Sequence, residues 1–452
     1  MHQFLRSSKT FGSFEFFSHI VMLYQQKSRD LSNISASLTD SDVLTIDQYE
    51  RRARIRSLIR HELTHFLDMT TTRWGLEYQF RKLQLVDGLL HQNDVQRRMD
   101  VFMLNTTEVE LHHKLLKYEP AILPSECDVL HNRVDYSARY GAVMTLIFSR
   151  ANRLVHTVPI SVLSVLEAHA TSNEYLSQLY DVAKILDAEE QLVARRSIER
   201  DFREAIDESK HLEYSALIHL CKLHFEELSL EELLELVAVL ARFSLDAGDM
   251  LMSAYANIIV RNIQSPYGVV IAADLRRGMS RPVLFLKTVQ LMKGWMECLE
   301  ESDCTAFVMR LRNEPRDALR HFFEKILGID ESFFDFEFEI PERIKCLAQF
   351  NALPDAEVAQ ASTVHNRKIL QRKSLASLNF SELILPDLVL ADDSVVEFPN
   401  RIPVNVKDRY YADMETYLQL DEAYRSQDEA KFHMDPDNAL AMELTHRRTV
   451  SD

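Results

Sequence analysis

Apolar residues recur at spacings of three and four through Ile55, Leu58, Ile59, Leu63, Phe66 and Leu67, and neither Pro nor Gly occurs between Thr45 and Thr72. This pattern predicts a long helix. At about 100° per residue, it places Glu62 inside an apolar arc running from Leu58 to Phe66, with His61 and His65 on the edge of that arc. A second helical pattern begins after Pro159 and Ser161 and puts Leu163, Leu166, Glu167, Ala170 and Glu174 on one face. Glu167 thus projects from an otherwise apolar stripe. Ala170, one turn later, is small enough for another helix to approach closely.

Elsewhere the pattern is looser. The first 48 residues join an aromatic cluster, Phe11 to Phe17, to a Ser/Asp-rich stretch from Ser28 to Asp42, and the short run Val43-Leu44-Thr45-Ile46 fits a strand or a helix start. Thr70 to Gly75 reads as a turn in which Trp74 lines a pocket or joins the core. Residues from about Leu76 to Asn132 read as further helices with polar breaks, and Tyr136 to Arg150 as a compact apolar run. From Leu186 to about Leu327 helical periodicity continues with few breakers. There Ser229-Leu230-Glu231-Glu232 is a capping box before Leu233 to Leu240, and Asp246 to Asp249 is a turn. This region predicts a bundle or stacked helix pairs. Phe333 to Ile340 is aromatic and acidic, and Leu383 to Pro403 carries Pro386, Pro399 and Pro403 among β-branched residues, which predicts extended segments. Residues from about Asp435 are expected to fray. The boundaries drawn on this pattern are 1–185, 186–330 and 331–452.

Composition narrows the class. Only 9 Gly and 12 Pro occur in 452 residues, which supports a mainly α fold with some β structure (α+β). The net charge of −17 is spread along the chain and disfavours nucleic-acid binding. The apolar run from Met250 to Val260 stops at Arg261, too short to span a membrane. Cys127, Cys221, Cys298, Cys304 and Cys346 form no CxxC pair and fit reduced thiols. With no basic stretch leading into an apolar run at Met1 to Arg6, a cytoplasmic location is expected.

The candidate chemistry lies in the first helix, where His61-Glu62-Leu63-Thr64-His65 has HExxH spacing. Residues four apart share a helix face, so His61 and His65 can offer two imidazoles to one tetrahedral Zn2+, with Glu62 placed to accept a proton from the attacking water. A carboxylate on a buried face is costly without a partner. Arg56 and Arg60 fall well away from Glu62 on the wheel. Catalytic zinc takes three protein ligands as a rule. No Gly and third His follow shortly after the pentapeptide, so the third must come from elsewhere. Glu167 is the leading candidate, beside Glu77, His91, His112, His113, His169 and Glu174.

The stretches His61 to Gly75 and Pro159 to Glu174 resemble the two helices of gluzincin-type zincin metallopeptidases. The resemblance implies His61, His65 and Glu167 as zinc ligands, Glu62 as general base, and a zincin-like domain with a small sheet whose edge strand pairs with an extended peptide. Thr171 stands where many gluzincins place an Asp that orients the first His. Asp68, projecting within about 20° of His61, is a candidate for that task. Tyr136, Arg139, Tyr140 and His169 are candidates for stabilising an oxyanion.

Two functions follow as expectations. The first is a zinc metallohydrolase acting on peptide bonds of a protein or peptide, its helical region open to a partner protein. The second is a non-catalytic, mainly helical interaction or regulatory protein with a degenerate or structural metal site.

Overall fold

The computed structural model describes residues 11–16, 18–90, 115–137, 141–263, 266–276, 281–328, 339–350, 354–402 and 439–447, with Glu415 and Leu418. These residues are mainly helical, with two small sheets. The helices are α1 (Leu31–Leu38), α2 (Ile46–Thr71), α3 (Arg73–Leu90), α4 (Val162–Val182), α5 (Ala188–Ile206), α6 (Leu212–His224), α7 (Leu230–Asp246), α8 (Asp249–Asn262), α9 (Pro266–Arg276), α10 (Arg281–Glu297), α11 (Glu301–Asn313), α12 (Pro315–Leu327), α13 (Glu339–Ala348) and α14 (Pro354–Leu370). The strands are β1 (Gly12–Glu15), β2 (Ile20–Leu23), β3 (Val129–Ser137), β4 (Gly141–Arg150), β5 (Arg153–Ile160), β6 (Leu388–Leu390), β7 (Val395–Val396) and β8 (Ala439–Arg447). No described helix is long and apolar enough to cross a membrane. The chain divides into two units that interleave along the sequence: Met1–Thr107, Ala170–Asp201 and Phe338–Lys431, then Glu108–His169, Phe202–Glu337 and Phe432–Asp452.

The first unit contains a sheet in the order β1-β2-β6-β7, so β1 is an edge strand. The β1–β2 hairpin buries Gly12 and Phe14 and leaves Ser13 and Glu15 half-buried, the alternation expected of a strand with one face on a core. His19 closes the hairpin with a φ of 60°, a left-handed conformation that non-glycine residues seldom take. Against the sheet lies α2, which fills the interval free of Pro and Gly. Thr45 caps it reciprocally with Gln48. Val43 to Ile46 is therefore no strand. Leu44 makes a single bridge to Ile185, Thr45 is the cap and Ile46 opens the helix.

The turn read at Thr70 to Gly75 is tighter than expected, because α3 begins at Arg73 directly after Thr72. Gly75 lies inside α3, where a Cβ would stand 2.3 Å from the carbonyl oxygens of Asp68 and Met69. Its role is close approach of two helix ends. Trp74 lies against Tyr78 with ring centroids 5.8 Å apart. The last carbonyls of α2 are bonded by side chains: Met69 O accepts from Gln79, Thr70 O from Thr363 and Thr71 O from Arg367. This leaves the end of a buried helix hydrogen-bonded.

The second unit has a sheet in the order β5-β4-β3-β8, antiparallel throughout. Val129 to Asn132, expected to be helical, thus belongs to β3, and Tyr136 to Arg150 is mostly β4. Pro159 does not open the following helix. It lies in β5, an edge strand, the place in a sheet that tolerates a residue without an N–H. The strand ends at Ile160, and α4 opens at Val162 after Ser161. Residues 439–447, expected to fray, form β8 beside β3.

The helical stretch after α5 follows its sequence pattern closely. Ser229 and Glu232 form the reciprocal cap of α7, and α7 gives way to α8 between Asp246 and Asp249. Gly328 ends α12 with a φ of 62°, a left-handed cap that suits glycine. Of the extended C-terminal reading, Leu388–Leu390 and Val395–Val396 are strands, while Phe333 to Phe338 and Pro403 lie outside the described residues.

Candidate metal centre

The HExxH residues occupy the buried half of α2. From Ile59 to Thr71 every residue except His61 is buried, so the burial is wider than the single apolar arc of the sequence pattern. The polar residues in this stretch are accommodated locally. Thr64, Thr70 and Thr71 each donate a hydroxyl to the carbonyl four residues earlier. Arg56 and Arg60 turn to partners other than Glu62: Arg56 to Asp40 and Asp181, Arg60 to the Leu378 carbonyl.

Helix geometry brings the two imidazoles together, with ring centroids 5.1 Å apart. His65 is 1% exposed and packs against Phe14 and Phe16 of the hairpin, whereas the His61 side chain is 18% exposed. Glu62 lies beside β1, where a Cβ on Gly12 would come within 3.2 Å of its Oε1. Gly12 therefore leaves room for the carboxylate next to an edge strand.

Glu167 is carried by α4, an unbroken helix that also carries Glu174 two turns later. His61, His65 and Glu167 offer ligand atoms that all lie within 4.8 Å of one another, and they are the one such group of three among the described residues. Glu174 Oε2 lies 3.0 Å from His61 Nδ1. A carboxylate can only accept, so in this pair Nδ1 carries the proton and donates it. Two imidazoles and a carboxylate are a donor set that would suit zinc.

No family model, curated protein or solved structure matches this chain.

The other sequence candidates are distributed as follows. Glu77 pairs with Arg81 and Arg343. His169 is buried on α4. His91, His112, His113, Arg139 and Tyr140 lie outside the described residues, as does the side chain of Tyr136. Asp68 is fully buried two turns after His61, while His61 Nδ1 pairs with Glu174. Glu174 occupies the helix face one turn beyond Thr171, a spacing visible in the sequence once Glu167 is fixed.

Sequence reasoning did not single out Glu213. It is buried in the first turn of α6, and burial, with a further contribution from Glu167, pushes its carboxyl up to about 7. Burial, with the charges of Glu167 and Glu213, pushes the neighbouring Tyr214 hydroxyl well above its usual range. No motif marks either residue.

Proposed function

We propose that this protein is a zinc-dependent metallohydrolase, most simply a peptidase resembling the gluzincins, with a zincin-like arrangement of hairpin, histidine helix and glutamate helix. The observation that carries this reading is the convergence of the His61–His65 pair with Glu167, about a hundred positions further along the chain, with ligand atoms within 4.8 Å. Zinc held there would polarise a scissile carbonyl and make water more acidic. Glu62 would accept a proton from the attacking water and deliver it to the leaving amine. Glu174 would hold the His61 ring in the tautomer that presents Nε2. The edge strand β1, passing beside Glu62, supports an extended protein or peptide as substrate, since such a segment pairs with a free strand edge. Asp68 would support the same helix from within the core.

The test is zinc content by mass spectrometry in wild type, His61→Ala and Glu167→Ala. About one zinc per chain in wild type, lost in both variants, is the expected outcome. A wild type that holds no zinc when supplied with it would instead favour the interaction-protein reading.

A further inference from the structure

A second buried polar cluster lies on α2, on the N-terminal side of the histidines. Arg52, Arg56 and Arg60 follow one another at four-residue spacing and are 7%, 3% and 0% exposed. Arg52 and Arg56 face Asp40 and Asp181, which Lys184 also joins. Among the described residues, two carboxylates therefore serve a cluster of four cations. Glu382 lies near Asp40 but is itself paired with Lys373.

The imbalance is concentrated at Arg60. Its Nη2 donates to the Leu378 carbonyl at 2.6 Å, and its guanidinium lies 4.1 Å from the centre of the Phe380 ring, which Arg56 also approaches at 5.1 Å. Its Nε and Nη1 are buried with no hydrogen-bond partner among the described residues. A carbonyl and an aromatic face ease the desolvation of a guanidinium, yet they supply no counter-charge. Arginine also keeps its proton when buried, so the cluster cannot neutralise itself as a lysine would.

We propose that Arg60 binds a small inorganic anion of the chloride class on its Nε and Nη1 groups, in the field of Arg56. Sealing of Arg60 and Arg56 from solvent favours a monovalent, weakly hydrated ion over a phosphate ester, whose dehydration is more costly. Phe380 and Leu378 would close the site from the C-terminal segment. The anion would thereby tie that segment to the helix turn just before His61. This site does not depend on the metallohydrolase reading.

Thermal unfolding of the full chain, at constant ionic strength with chloride exchanged for gluconate, tests it. The expected result is a Tm that rises with chloride and levels off, as for one saturable site, and that is reproduced by bromide. In Arg60→Met the chloride dependence should vanish. Equal dependence in both proteins, or none in wild type, would overturn the proposal. Should Arg60→Met fail to fold, anomalous scattering from wild-type crystals grown in bromide decides. A peak within contact of Arg60 Nε and Nη1 supports the site, and a water or no peak there refutes it.

Discussion

Two histidines, one in each unit, show how the same residue types are put to different use. His61 pairs through Nδ1 with Glu174 and belongs to a group with His65 and Glu167 whose ligand atoms lie within 4.8 Å of one another. His219 Nε2 donates to the Ile206 carbonyl at 2.8 Å, with Asp207 3.7 Å away, and Asp207 is itself taken up by the Ser125 N–H and hydroxyl. Ser125, Asp207 and His219 look like a catalytic set by type alone, but here the carboxylate sits between the other two and ties a loop to a helix. The first arrangement gathers lone pairs at one point, and the second consumes them. Convergence of donors, more than burial or residue type, separates a site from a structural network.

The largest expected effect breaks the comparison if it fails. Glu62→Gln should retain zinc while lowering peptide hydrolysis about 10²–10⁴-fold, because the proton acceptor is lost and the ligands are kept. His219→Gln should leave hydrolysis within about twofold. Undiminished turnover in Glu62→Gln would refute the assigned chemistry. Equal losses in both variants would mean that the two networks are not functionally distinct.

Acid should expose the second network. Burial lowers the His219 pKa to about 4, against the upward pull of Ile206 and Asp207, while an unfolded histidine titrates near 6.5. The folded state then binds fewer protons than the unfolded state between those values. The contribution of His219 to stability is therefore full above the unfolded pKa and is lost as pH falls toward about 4. The loss is on the order of a few kcal/mol. Urea unfolding at about pH 7 and pH 5, on either side of the unfolded value, should show a steeper acid loss in wild type than in His219→Gln. Parallel losses would remove the assignment.

A smaller effect sharpens the first network. Glu174→Gln keeps the length of the side chain but removes the charge that orients His61, and zinc affinity should fall about 10–100-fold by chelator competition. Unchanged affinity would leave the His61 tautomer to another group, with Asp68 the first to examine.

What the sequence revealed and what it concealed have physical causes. The interval from Thr45 to Thr72 carries its own helix signals, and α2 fills it. Ser229 and Glu232 cap α7 through atoms three residues apart, so that motif too is local. Glu167 stood out as a charge on an apolar stripe. The edges of the sheets were concealed because their partners are remote: β2 pairs with β6 over more than 360 residues and β3 with β8 over about 300, which no local window senses. Buried Asn132 and Asp135 also interrupt the apolar alternation of β3. Val43 to Ile46, rich in β-branched residues, fitted a strand or a helix start, and the helix start holds, with Thr45 as the cap of α2.

The smallest effect concerns the far end of the histidine helix. Thr363→Val keeps the shape of the side chain and removes the hydroxyl that bonds the Thr70 carbonyl, leaving the neighbouring carbonyls held by Gln79 and Arg367. The expected cost is about 1 kcal/mol of stability, the scale of one hydrogen bond made in place of water. Zinc affinity should not change, because His61 and His65 lie more than one helical turn before Thr70 and their orientation depends on Glu174 and the hairpin phenylalanines. Should zinc affinity fall as far as in Glu174→Gln, the clamp at the helix end would belong to the site, and the line drawn between converging donors and structural bonds would have to run through α2 itself.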